Sequence, residues 1–98
     1  METKRIQYYS EVLKEKVWAK GKKVRGKNPN LYRKDKFNSV IFKTSYGKRT
    51  SMGWEIDHSV PLKKGGTNTL RNLQPLHWLN NRLKGTKYPY KPSRKNRG

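Results

Sequence analysis

One acid and one histidine stand side by side, Asp57-His58, in a chain with only six acids and two histidines against 25 Lys and Arg. They close the run GWEIDH and are followed by Pro61 and Gly65-Gly66. That pairing suits a metal ligand next to a general base. A carboxylate oxygen holds a hard cation, and an imidazole with a pKa of about 6.5 is largely neutral near pH 7. The strongly positive surroundings disfavour the imidazolium further. Asn72, which opens NLQPL, is of a type that satisfies loop backbone groups. On a helix beyond it, His77, Asn81 and Lys84 fall in one polar sector at about 100° per residue. His77 and Asn81 are four apart, so either or both can look at the strand end. Singly, each feature has a plain alternative: a surface acid beside a half-buried histidine, a loop asparagine, a solvated helix face.

These residues need elements to position them. Neighbours in a regular strand point to opposite faces, so Asp57 and His58 serve one site only where the strand ends or bulges. Pro61, which constrains Val60 as well, favours an end. The order read from the pattern is a strand at Trp54–Asp57, a long excursion over 59–71, an extended NLQPL, and a helix in LHWLNNRLKG stopped at Gly85. Such a helix, roughly 13 Å long, is not stable alone. Leu76, Leu79 and Leu83 are expected to pack it on the strands. Upstream, Ser10 caps a helix through SEVLKEKVWAKG, with Val12, Leu13, Val17 and Trp18 towards the core and Gly21 after its end. KGKKVRGKNPN reads as a basic loop. A turn at Lys36–Ser39, a strand near Val40–Lys43 and a loop through Tyr46-Gly47 follow. Residues 1–9 and 88–98 read as flexible ends.

Composition sets the partners. The 98 residues make one small domain with a formal net charge of +19. A basic chain with interleaved Tyr, Trp and Arg points to nucleic acid. Cysteine is absent, which excludes disulfides, thiol nucleophiles and Cys-ligated zinc. No run approaches the ~18 apolar residues of a membrane span, and the N-terminus has no apolar signal region. A cytoplasmic protein is the expectation.

Together, Asp57-His58, Pro61, Gly65-Gly66, Asn72-Leu73-Gln74-Pro75-Leu76, Asn81 and Lys84 resemble the core of the HNH endonuclease family. Asn81 at the last signature position is similar to the HNN variant, of a small stand-alone bacterial or viral type. The resemblance implies an α+β fold: a ββα-metal (His-Me finger) nuclease core over about residues 53–85, with an N-terminal helix and a flexible basic C-terminal tail. It implies metal-dependent hydrolysis of DNA phosphodiester bonds, nicking or cutting with weak sequence specificity and leaving 5′-phosphate and 3′-hydroxyl ends. His58 is the implied base, Asn72 pins the loop that orients it, and Asp57 and Asn81 hold the metal, with His77 as a rival ligand. An oxygen-only donor set favours Mg²⁺, or Mn²⁺ in its place, whereas His77 as ligand would favour Zn²⁺, Ni²⁺ or Co²⁺. Many relatives carry paired Cys-x-x-Cys motifs for structural zinc. Here the second pair is replaced by His77 and Asn80, so no structural zinc is expected and packing must take its place.

Lys63, Lys64, Arg71, Arg82 and Lys84 fit a cradle for substrate phosphates, with DNA as the expected partner and RNA also compatible. Tyr46, Trp54 and Trp78 suit either base stacking or the core. Two other functions fit the charge. One is a non-catalytic nucleic-acid-binding module on the same scaffold. The other is a toxin-type nuclease domain with an acidic inhibitor protein.

Overall fold

A computed structural model describes residues 8–92. Helix α1 (Glu11–Trp18) starts where expected, with the Ser10 side chain accepting from the Leu13 amide at 3.1 Å. It is followed by strands β1 (Lys22–Lys23), β2 (Tyr32–Lys34) and β3 (Val40–Phe42). These pair antiparallel in the order β1-β2-β3. The basic stretch KGKKVRGKNPN, expected to be a loop, therefore holds β1, β2 follows just beyond it, and β3 falls where a strand was expected. Strands β1 and β2 are two and three residues long, too short for a period-2 pattern to show.

The second sheet is the antiparallel pair β4 (Trp54–His58) and β5 (Leu73–His77), in register from Trp54↔His77 to His58↔Leu73. Helix α2 (Trp78–Lys84) follows β5 without a loop and folds back over the pair. This gives a ββα order. Alternation along β4 turns Trp54 and Ile56 to one side and Glu55 and Asp57 to the other.

The first side is the core. Val17, Trp18, Ile41, Trp54, Ile56 and Leu73 form one buried cluster, with Tyr9, Leu13 and Tyr46 packed against it. The Trp18 and Trp54 rings lie 5.2 Å apart. Each indole N–H reaches a carbonyl, Trp18 to Pro29 and Trp54 to Lys43, so burying them leaves no donor unmet. Val12, expected on the core face of α1, is exposed instead. Residues 1–7 and 93–98, part of the expected flexible ends, lie outside the described residues. Of the ends that are described, Tyr9 packs on the core, and Tyr90 meets Phe37 edge-on at 5.7 Å.

The second side differs from expectation. Leu76 belongs to β5 and is fully buried, but Leu79 and Leu83 are 46% and 38% exposed. Asn80 and Lys84 are the buried residues of α2. The helix is held by polar contacts, with Asp35 as their centre. The Asp35 side chain is 1% exposed. Its Oδ1 accepts from the Phe37 and Ser39 amides at 2.9 and 3.0 Å. Its Oδ2 accepts from the His77 amide and from Asn80 Nδ2, both at 2.9 Å. One carboxylate thus fixes the β2–β3 turn, where Asn38 has φ +70°, and ties it to the β5–α2 junction.

Hydrogen bonds to a charged acceptor contribute about 1.5–3 kcal/mol each, and leaving a buried donor unmet carries a penalty of similar size. Asp35→Ala should therefore lower unfolding free energy by about 3 kcal/mol or more in urea denaturation, a large share of the roughly 5–15 kcal/mol a small domain has. A change of less than about 0.5 kcal/mol, the range of an ordinary surface substitution, would show that the two units hold together by other means.

Candidate functional site

Asp57 is next to last in β4 and is 7% exposed. Its register partner Gln74 donates from Nε2 to Oδ2 at 2.8 Å. Lys84, itself 3% exposed, sets its ammonium 3.3 Å from both carboxylate oxygens. The same ammonium donates to the His58 carbonyl at 3.0 Å. Lys84, expected in the phosphate cradle, is buried against Asp57 instead of exposed. Burial pushes the Asp57 carboxyl up from its ordinary value, against the downward pull of Gln74, Lys84 and His58.

His58 is the last residue of β4. Its Nε2–H donates to Asn68 Oδ1 at 2.7 Å. With the proton on Nε2, the lone pair of the neutral ring sits on Nδ1. That is the state a proton acceptor needs.

The chain then leaves the sheet, and Asn72 holds the exit. Its Oδ1 accepts from the Val60 amide, and its Nδ2 donates to the Val60 and Thr67 carbonyls, at 2.9, 3.0 and 2.8 Å. The Ser59 amide also bonds the Asn72 carbonyl at 2.8 Å. Both ends of the excursion are therefore clamped within two residues of His58. Gly66 is required by this closure, since a Cβ there would stand 1.8 Å from the Val60 carbonyl oxygen. Gly65, at φ +93°, ends the turn Leu62–Lys64.

Asn81 lies on the same face of β4, three residues before Lys84 on α2, so the two are neighbours on the helix surface. Its Nδ2 donates to Glu55 Oε1 at 2.8 Å. His77 lies elsewhere. It precedes α2 as its N-cap, where Nδ1 accepts from the Leu79 amide at 3.1 Å and Nε2–H donates to the Ser51 carbonyl at 2.8 Å. Both ring nitrogens are committed. Its register partner is Trp54, at the opposite end of the strand pair from His58. The expected i,i+4 pairing of His77 with Asn81 does not form, because His77 is extended rather than helical.

Lys63 and Lys64 are exposed on the turn of the excursion, Arg71 just before β5, and Arg82 on the outer side of α2. Trp54 and Tyr46 belong to the core, and Trp78 donates its indole N–H to Thr50. Three further residues shape the site without having been given a role from the sequence: Glu55, Asn68 and Gln74. Glu55 was legible, being two before Asp57 and so on its face. Gln74 needed the register, and Asn68 has no signal among the polar residues of its loop.

The donor set decides which metal the face suits. Among the described residues no three His, Cys, Asp or Glu side chains gather as a metal cage. Structural zinc takes four such ligands. A hard ion of the Mg²⁺ type takes one or two carboxylates and fills its shell from water and substrate phosphate. Asp57 keeps lone pairs beyond those Gln74 and Lys84 use, and Asn81 offers an amide oxygen. The set fits the second kind of ion.

Residues 43–87 match the family described as HNH endonuclease. No curated protein and no solved structure matches the chain. The matched span contains both strands of the β4–β5 pair, the clamped excursion and α2.

The ordinary Asp value is 3.8. Between it and the raised folded value, the folded chain holds a proton the unfolded chain has released, so stability falls as pH rises through that window. Carbon-detected NMR titration should place the Asp57 midpoint above 3.8, and Gln74→Ala should raise it further by removing a donor to the ionised form. A midpoint that drops in Gln74→Ala would contradict this balance.

Proposed function

Residues 43–87 match the HNH endonuclease family, and from that premise we propose that the chain hydrolyses DNA phosphodiester bonds at the end of β4. The observation that carries the reading is His58. Its Nε2–H is fixed on Asn68, which leaves Nδ1 to accept, and a buried carboxylate is its chain neighbour. Phosphodiester hydrolysis is slow in water because water is a poor nucleophile and the attacked centre is anionic. A placed base addresses the first problem and a cation the second.

A substrate strand lying across the end of β4 would bring a phosphate between Asp57 and His58. His58 Nδ1 takes the proton of the attacking water. Asn68 keeps the ring in the tautomer that leaves Nδ1 free, and stabilises the imidazolium as it forms. Asn72 keeps the backbone after His58 from shifting under that load. Asp57 and Asn81 would hold a divalent cation, Mg²⁺ or Mn²⁺. When bound, that ion would stabilise negative charge on the phosphate and on the departing 3′ oxygen. Gln74 and Lys84 fix the Asp57 carboxylate, and Glu55 accepts from the Asn81 amide nitrogen, which leaves the amide oxygen as the ligand atom. The products would carry 5′-phosphate and 3′-hydroxyl ends. Lys63, Lys64, Arg71 and Arg82 would bind phosphates without reading bases, which gives weak sequence preference.

In a supercoiled-plasmid assay with Mg²⁺ or Mn²⁺, His58→Ala should lower the cleavage rate by about 10²–10⁴-fold with DNA binding unchanged. Asn68→Asp should stabilise the imidazolium and move the acid limb of the kcat/KM profile to higher pH. Equal cleavage by His58→Ala would sink the assignment. Silence of the wild type across a divalent metal panel, with tight salt-sensitive binding, would support a non-catalytic binding module.

A further inference from the structure

A cleft of about 180 Å³ opens beside the free edge of β5. Its walls carry five cations, Lys20, Lys22, Lys34, Lys36 and Arg71, drawn from the end of α1, the β1–β2 sheet and the turn before β5. The one carboxylate in its lining is Asp35, whose oxygens are already taken by four donors. The cleft is too small for a drug-sized ligand, which needs roughly 300–1,000 Å³, but it has room for a phosphate group. Lys20 is fixed within it. Its ammonium donates to the Leu70 carbonyl at 2.7 Å, to the Arg71 carbonyl at 3.4 Å, and to the Leu73 carbonyl. Those carbonyls lie along the β5 side of the cleft, so a cation is held at its wall without a carboxylate to neutralise it.

The cleft also meets the candidate active site. Ser59 and Gln74 line it. Ser59 follows His58 in the chain, and Gln74 is the residue that bonds Asp57. A strand whose scissile phosphate lies at His58 therefore has a cationic path leading from that point.

We propose that this cleft is a second phosphate site, which takes a non-scissile phosphodiester of the DNA whose cut bond lies at His58. The proposal rests on the nuclease reading for the identity of its ligand. Lysines act on phosphate as point charges and set no base preference. The site adds affinity and sets the direction in which the substrate leaves the cut.

The test is equilibrium binding of a fluorescein-labelled DNA duplex of about 20 base pairs, by anisotropy between roughly 50 and 200 mM salt with EDTA present. Wild type is compared with Lys34→Gln/Lys36→Gln on one wall and Lys22→Gln/Arg71→Gln on the other. Lys48→Gln/Arg49→Gln, outside the cleft, removes the same charge. Each phosphate that is no longer neutralised should reduce the log–log salt slope by about 0.9, so the fall in affinity over that salt range becomes about threefold smaller. Both cleft pairs should show this, and the outside pair should show less. Wild-type slopes in both cleft pairs, or an equal fall in the outside pair, would overturn the proposal. Plasmid nicking by the wild type is scored separately. Slopes that fall as expected in a protein that nicks nothing would support the cleft as a DNA site and count against the nuclease reading.

Discussion

The carboxylate of Asp35 is the joint of this small protein. It is buried, and its four donors come from two places far apart in the chain, the β2–β3 turn and the β5–α2 junction. The His77 amide and Asn80 are two of those partners. A single anion thus joins two segments through hydrogen bonds. Helix α2 is seven residues long and would not hold its shape alone. Its start is set by Asp35, and everything it carries towards β4 follows from that start.

That dependence explains why the inner face of α2 is polar. Asn80 bonds Asp35, Asn81 bonds Glu55, and Lys84 bonds Asp57 and the His58 carbonyl. An apolar stripe would give more burial, but it would leave these acids in a poorly solvated place without partners. Breaking a buried ion pair by removing one partner costs about 3–5 kcal/mol. The Asp57–Lys84 contact is therefore a constraint on the site more than a source of net stability. It holds an anion where burial disfavours one. Gln74 and Lys84 favour the ionised carboxylate against the burial that pushes its pKa up.

Much of this was legible in the sequence, and the limits have physical causes. Ser10 and Gly85 mark helix ends through local backbone chemistry, so both read correctly. The Asp57-His58 pair, the strand end before Pro61 and the return at Asn72 also read locally. The inward face of α2 did not, because Leu79 and Leu83 carry the apolar signal yet point outward, while the partners that draw Asn80 and Lys84 inward lie 45 and 27 residues away. The same holds for His77. A helical wheel places it beside Asn81, but the β5 register with Trp54 extends it and turns its ring to Ser51. Asp35 gave no signal, since its four partners are visible only once both units are folded.

The proposed chemistry depends on Asp57 and Asn81 holding the ion beside a proton-accepting His58. Anomalous diffraction at the manganese edge shows this without an activity assay, using crystals of His58→Ala soaked in Mn²⁺ with a DNA duplex. One strong peak is expected, in coordination contact with an Asp57 oxygen, Asn81 Oδ1 and a phosphate oxygen. A peak held by His77, or by Glu55 without Asp57, would contradict it.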